Sequence, residues 1–424
     1  MKFYQRLCAF FVGVTSLTYA VQALGDGLRG QAYIGLHLML TGLMFWVAWG
    51  ARAHSKELFR GLLFAGIAAR LVLVGVSPFN THDVQRYLFD GRMVLEGLDP
   101  YLNNPDPQKY AALYAEGFDV APEHRGYRTI YPPLALGVFT LCARAGPVAG
   151  FWLWKILITV ASILSLLLVA QVLYERRRGQ WLVWLSLSPI ALLEIGVGAH
   201  VDALSMLGVA CLVWSLHRGL SFGAAAGLSL AILSKIIPGW LLLGAVFNKS
   251  LRRPFLGAVG ITLVVYAFML LIGFSPLGSL LEFARVWRFG SVLASLLAVF
   301  DMAQHTLIYA ALMFSGWMIL TQRLQNKAVE MLLSAIFVWG LATSPVLFPW
   351  YALSVLPLLA LAPSGILLGW TSALPFTYEV IDAFDLSGVW APSVWPQILL
   401  VLCAGLGMAI DRKMKRQVVL GDRG

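Results

Sequence analysis

Apolar runs separated by short polar breaks make up most of the chain. A helix that crosses a bilayer needs about 20 such residues in succession. Runs of this kind fall near 7–24, 32–51 and 58–76, and then, beyond a polar stretch from Ser77 to Ile130, near 131–145, 148–173, 181–197, 201–216, 220–247, 254–273, 291–321, 329–344, 351–375 and 396–410. The pattern predicts an all-α polytopic membrane protein, a single integral membrane domain over 1–424 with roughly 11–13 transmembrane helices. No internal repeat and no inverted symmetry of the transporter kind is visible.

The polar breaks set the expected orientation. Lys and Arg gather at 175–179, 249–253 and 411–416, the distribution that the positive-inside rule gives to cytoplasmic loops. With an inside N-terminus and three spans, residues 77–130 become a long outer loop. Both flanks of the run 220–247 come out cytoplasmic, so it is expected to be a broken hairpin turning at Lys235 and Pro238. Such irregular backbone at membrane depth needs protein or a watery cavity around it. The run 351–375, with both flanks external, is expected to be a second broken pair. Composition agrees with a membrane protein: 59% of the 424 residues are hydrophobic and only 12% charged, against about 25% in soluble domains. The net charge of +10 is spread over those loops, so no nucleic-acid partner is expected. Cys8, Cys142, Cys211 and Cys403 all lie in apolar runs and suggest neither a disulfide framework nor a zinc site. Lys2 and Arg6 ahead of the first run resemble a signal peptide, but the spans that follow favour an uncleaved first helix.

The outer loop holds the densest chemistry. From Asn80 to Tyr101 the apolar residues Val84, Tyr87, Leu88, Val94, Leu95 and Leu98 share one helical face. Asp83, Arg86 and Asp90 line one edge of that face, within about 60° of each other. The segment reads as a short interfacial helix, apolar side down, with an acidic edge toward a cavity between the spans. Thr81 and Asp83 equally suit a helix cap. The loop closes on Tyr127–Pro133, whose proline pair fixes an extended joint before the next span.

Ionisable groups at membrane depth are costly and face a bundle interior or a cavity. Glu194 and the stretch Gly198–Ala203 fall at an outer boundary. His200 and Asp202, two residues apart, are too close for helical metal-ligand spacing and read as a hydrogen-bonded pair in a turn. Lys235, in the middle of an apolar run, needs an anion or water, either a phosphate or an unseen carboxylate. Glu282, Arg285 and Arg288 surround a Trp at another outer boundary, as an interfacial anchor or as a dock for an anionic headgroup. Asp301 and His305 suit a polar pair one helical turn apart, and Glu379, Asp382 and Asp385 an acidic outer loop that meets either hydroxyl-rich substrate or, the favoured reading, only water. No acidic triplet has ligand spacing, so neither a metal nor a cofactor is expected.

Taken in order, Asp83-x-x-Arg86-Tyr87, Asp90-Gly91, Asp99-Pro100-Tyr101, Tyr131-Pro132-Pro133, the stretch Gly198–Ala203, Ser234-Lys235 through Pro238 and Pro349-Trp350-Tyr351 resemble landmarks of the multi-span GT-C glycosyltransferases. The resemblance is to bacterial polyprenyl-phosphate-mannose-dependent mannosyltransferases and the family 87 proteins of that superfamily, and runs from about Ser77 to Tyr351. It implies a GT-C-like bundle in the bacterial cytoplasmic membrane, with interfacial helices in the first outer loop. The implied reaction is inverting transfer of a hexosyl, here mannosyl, residue from a polyprenyl-phosphate-linked donor to a lipid or glycan acceptor on the outer face. It implies Asp83, or else Asp90, as general base and Arg86, Lys235, Arg285 and Arg288 as candidates for the donor phosphate. Tyr87, Tyr131, His200, Asp202, Trp350 and Tyr351 then belong to the substrate cavity. Relatives often carry His before Pro-Trp-Tyr, where this chain has Phe348. The competing class is a transporter or flippase for a lipid-linked or anionic substrate, which would cluster its polar groups at the midplane between repeated halves.

Overall fold

The computed structural model describes residues 2–24, 29–51, 55–280, 306–324, 328–344 and 346–421. Glu282, Arg285, Arg288, Asp301 and His305 lie outside the described residues. The helices are α1 (Lys2–Ala23), α2 (Arg29–Gly50), α3 (Lys56–Leu73), α4 (Asp83–Leu95), α5 (Ala111–Ala115), α6 (Pro133–Ala143), α7 (Pro147–Glu175), α8 (Val183–Ser186), α9 (Pro189–Gly196), α10 (Asp202–His217), α11 (Ser221–Ser234), α12 (Gly244–Phe247) and α13 (Arg252–Leu271). After them come α14 (Thr306–Leu324), α15 (Val329–Thr343), α16 (Leu356–Leu361), α17 (Gly365–Ala373), α18 (Glu379–Ser387) and α19 (Trp395–Gly421). The protein is an all-helical polytopic membrane protein. Five described helices are long and apolar enough to cross a bilayer, and six apolar helical segments of 10–17 residues are shorter than a full span. The two runs expected to break do so. In the first, α11 stops at Ser234 and Lys235 turns extended before a 3-10 stretch begins at Ile237. In the second, the backbone leaves the helix between α16 and α17.

The loop helix α4 differs from its expected place. Rather than burying one apolar face alone, it packs against α6 and α7 and buries Arg86 and Asp90 along with Val84, Tyr87, Leu88, Phe89 and Met93. Gly91 permits this, since a Cβ there would meet the Phe139 carbonyl at 2.4 Å. The Tyr87 ring is thereby stacked on Phe139, centroids 4.5 Å apart, with Trp154 and Tyr131 edge-on to it.

Two buried cations are braces. Arg70 donates to the Gly66, Ser186 and Leu185 carbonyls at 2.9 Å and to Ser162 Oγ at 2.8 Å, tying α3 to α7 and α8. Lys155 donates to the carbonyls of Leu73 and Val76 and so satisfies the open end of α3.

Helices α10 and α11 run against each other through a glycine contact. A Cβ on Gly208 would lie 2.4 Å from the Ala231 nitrogen, and one on Gly227 2.5 Å from the Leu212 nitrogen. This small-residue approach is how membrane helices associate without a hydrophobic drive, and it sets the end of α11, with Lys235, beside the start of α10, with Asp202. Gly208→Ala is therefore expected to force the pair apart, costing about 1–3 kcal/mol. A lower melting temperature in detergent with reduced transfer activity checks this; unchanged melting would mean the contact is slack.

Candidate active site

Asp83 opens α4 and faces a cleft whose walls also carry Arg86, Tyr131, Lys235, Trp350 and Tyr351. Residues spread from 83 to 351 thus meet in one place. Directly behind the wall stand Tyr87, His200 and Asp202, buried and bonded to residues that line it.

Asp83 is held from three sides. Its Oδ2 accepts from the Tyr87 hydroxyl at 3.2 Å and lies 3.2 Å from His200 Nδ1. His124 Nε2 lies 3.9 Å from Oδ1. The Asp83 amide bonds to Thr81 Oγ1 at 3.1 Å, so Thr81 supplies the local turn and the Asp83 side chain is free of capping duty. Burial opposes ionisation of Asp83, but the hydrogen bond and charge of His200, with smaller contributions from His124 and Lys235, outweigh it and hold the carboxyl well below the usual carboxylate range. Burial lowers His124, against the pull of Asp83 and Glu123, so the neutral imidazole is favoured on the cleft side.

Asp90 sits elsewhere. It is fully buried, does not line the cleft, and accepts from Arg86 Nε at 2.8 Å. Burial pushes its carboxyl up against the opposing charge of Arg86. Arg86 spends its other contacts on the His124 and Tyr127 carbonyls, at 2.9 and 2.8 Å. The pair clips the returning end of the loop 77–130 to α4, and of the two acids on α4 it is Asp83 that lines the cleft. Asp99 is similarly structural, receiving the Tyr101 and Ser275 amides at 2.8 and 2.9 Å.

His200 and Asp202 do not pair with each other as their spacing suggested. The turn before α10 sends His200 to Asp83 and Asp202 to Lys235, whose Nζ lies 3.2 Å from Asp202 Oδ2. The unseen carboxylate partner of Lys235 is therefore Asp202. Its ammonium also stands over the rings of Tyr131 and Tyr351, at 5.5 and 5.0 Å, a caged cation with one side toward the cleft. Trp350 stacks on the His200 ring at 4.1 Å and on Phe348 at 4.2 Å; at the position where relatives often carry His, Phe348 lines the cleft and supports this stack. Of the three acids expected to face outward, Asp382 accepts from the Gly30 and Gln31 amides at the start of α2, Glu379 binds Ser393, and Asp385 faces Arg29 at 3.5 Å on the cleft rim.

A second, largely apolar cleft lies beyond Lys235, lined by Ile236, Ile237, Trp240 and Val346 among others. The two clefts share Ile130, Tyr131, Lys235 and Tyr351. At the far end of α10, about 24 Å away by helical rise, Arg176, His217 and Arg253 gather around another cavity. The site and these basic loops thus occupy opposite ends of that helix. Sequence reasoning passed over His37, His124 and Tyr378. His37 carried a signal in kind, an ionisable side chain inside an apolar run; the others became visible only through folding.

Comparison with known proteins finds no matching curated protein and no matching solved structure. A family profile does match, that of the alpha-(1->6)-mannopyranosyltransferase N-terminal domain, over residues 14–249. That decides for an enzyme over a transporter or flippase, and with more than half of its 424 residues inside the match, the chain belongs to the alpha-(1->6)-mannopyranosyltransferase family and is a membrane glycosyltransferase that transfers mannose.

Proposed function

We propose that the enzyme moves a mannosyl residue from a polyprenyl-phosphate-linked donor to a lipid or glycan acceptor on the outer face of the bacterial cytoplasmic membrane, with inversion and with Asp83 as general base. The observation that carries this reading is the meeting of a polar and an apolar cleft at one caged cation. A donor whose phosphate sits at Lys235 lays its hydrocarbon chain in the apolar cleft and its sugar in the cleft of Asp83. The outer-face reading rests on the basic loops at the opposite end of α10 and the positive-inside rule.

The acceptor hydroxyl attacks the anomeric carbon from the side of Asp83. As the new C–O bond forms, the hydroxyl becomes acidic and its proton passes to a carboxylate oxygen. The bond between the anomeric carbon and the phosphate oxygen breaks, and that oxygen leaves with the electron pair as polyprenyl phosphate. A carboxylate as strongly paired as Asp83 is a weak base toward a free alcohol but takes a proton readily from one bonding to the anomeric carbon. Lys235 meets the charge developing on the leaving phosphate, and the resident charges of the cleft need no reorganisation.

Sealed right-side-out vesicles carrying the enzyme test this. Given mannose-labelled polyprenyl phosphate in the membrane and a water-soluble α-mannoside outside, label is expected in the soluble product, and none when a nucleotide-linked mannose replaces the lipid donor. Transfer from the nucleotide donor, or only with inside-out vesicles, overturns the donor or the sidedness.

A further inference from the structure

A line of buried ionisable groups leads from Asp83 away from the cleft and into the bundle. His200 is fully buried, with Asp83 Oδ2 3.2 Å from Nδ1 and Glu194 Oε2 3.4 Å from Nε2. Glu194, on α9, is itself fully buried. It accepts from the Tyr378 hydroxyl at 2.6 Å, and its Oε1 lies 2.9 Å from His37 Nε2 on α2. The His200–Glu194 and His37–Glu194 contacts have ion-pair distances, and His200 Nε2, His37 Nε2 and Glu194 Oε1 make no hydrogen bond elsewhere. A carboxylate with no exposure cannot stay ionised at membrane depth without close cations. The mechanism above uses Asp83 and leaves Glu194 and His37 without a task.

We propose that Glu194 is a positioning residue for mannosyl transfer: it keeps His200 as an imidazolium hydrogen-bonded to Asp83, and His37 in turn keeps Glu194 in place. This rests on the reading of Asp83 as the base. A neutral imidazole has one N–H to give, whereas only the imidazolium presents a donor on both nitrogens, and here each nitrogen faces a carboxylate. The Trp350 face stacked on the ring suits the same cationic form. Backbone geometry points the same way. Ala199 adopts φ 54°, in the left-handed region, a strain that persists only where the surroundings over-determine it. Its carbonyl is anchored by Trp154 Nε1 at 2.8 Å, and a Cβ on Gly198 would fall 2.6 Å from His200 Nε2. The turn is built to aim that ring.

Other groups face the pair and bear on the test. Tyr87 and His124 reach Asp83 from α4 and the loop that follows it, Lys235 stands on the cleft side with Asp202 behind it, Arg86 is committed to Asp90, and Tyr33, Asn80 and Tyr378 surround the Glu194 end. Among these, His124 is the group whose own titration would also register in an acidic limb.

The experiment is the pH profile of kcat/KM for mannosyl transfer from polyprenyl-phosphate mannose between about pH 5 and pH 9, for native enzyme, Glu194→Gln and Gly198→Ala, each repeated with His124→Asn. The native rate is expected to hold toward the acid end because Asp83 stays ionised. Glu194→Gln removes the anion that keeps His200 charged, so an acidic limb should move up by about one pH unit or more, with the rate near the alkaline end retained. Gly198→Ala keeps every charge and displaces the ring, so it should show the same limb even if Glu194→Gln does not fold, and both effects should survive His124→Asn. Profiles that superimpose on the native one, or that fall equally at every pH, overturn the relay alone. A native enzyme that transfers nothing from this donor overturns the underlying reading and the relay with it.

Discussion

Asp83→Asn is expected to lower kcat by about 10²–10⁴-fold in a protein that folds as well as the native one. The substitution is nearly isosteric, and an amide oxygen can still accept from Tyr87, so the start of α4 keeps its shape. What the amide cannot do is take a proton from the acceptor hydroxyl. That interaction exists only in the transition state, so kcat and kcat/KM should fall together while donor binding changes little. Asp90→Asn is the informative comparison. Asp90 is fully buried against Arg86, and its loss should appear as reduced stability, with activity per folded molecule largely kept. Single-turnover transfer of labelled mannose, normalised to folded protein, separates the two. Full activity in Asp83→Asn would remove the base from this site.

Much of this arrangement was legible in the sequence, and the reason is physical. Span positions follow from the free energy of apolar residues in lipid, which is local and nearly additive, so α1, α2, α3, α7 and α13 lie close to where hydropathy puts them. The break at Lys235 was legible because a charge and a proline interrupt an apolar run. Lys235 stood out by its cost inside an apolar run, and Asp83 by its place beside Arg86 and Asp90 on the edge of an amphipathic loop helix. Their partners did not, because pairing is tertiary. Nothing in the spacing of His200 and Asp202 says that one turns to residue 83 and the other to residue 235; that depends on the left-handed turn at Ala199 and the glycine contact between α10 and α11. The burial of α4 was missed for a related reason. Its helical wheel shows one apolar face, and the Arg86–Asp90 pair that lets the other side be buried reads equally well as a solvated edge.

Lys235 is expected to be worth about 10²–10³-fold in kcat, the scale of one preorganised group at a developing oxyanion. Reading that effect requires Asp202, because Lys235→Met alone also leaves a carboxylate 2% exposed without its cation, and unpairing a buried charge costs about 3–5 kcal/mol. The loss in the single variant therefore mixes stability with chemistry. Asp202→Asn separates them by keeping the ammonium while loosening its hold. Combining Lys235→Met with Asp202→Asn removes both charges and should restore melting close to the native value. If Lys235 meets the leaving phosphate, the double variant melts normally and still turns over slowly, and the two positions couple in stability far more than in kcat. If Lys235 is only the counter-ion of Asp202, activity returns with stability, and the phosphate must find its cation elsewhere in the chain. The Tyr131 and Tyr351 rings beneath the ammonium favour the first outcome, since they hold the charge in place at the mouth between the clefts whether or not the carboxylate remains.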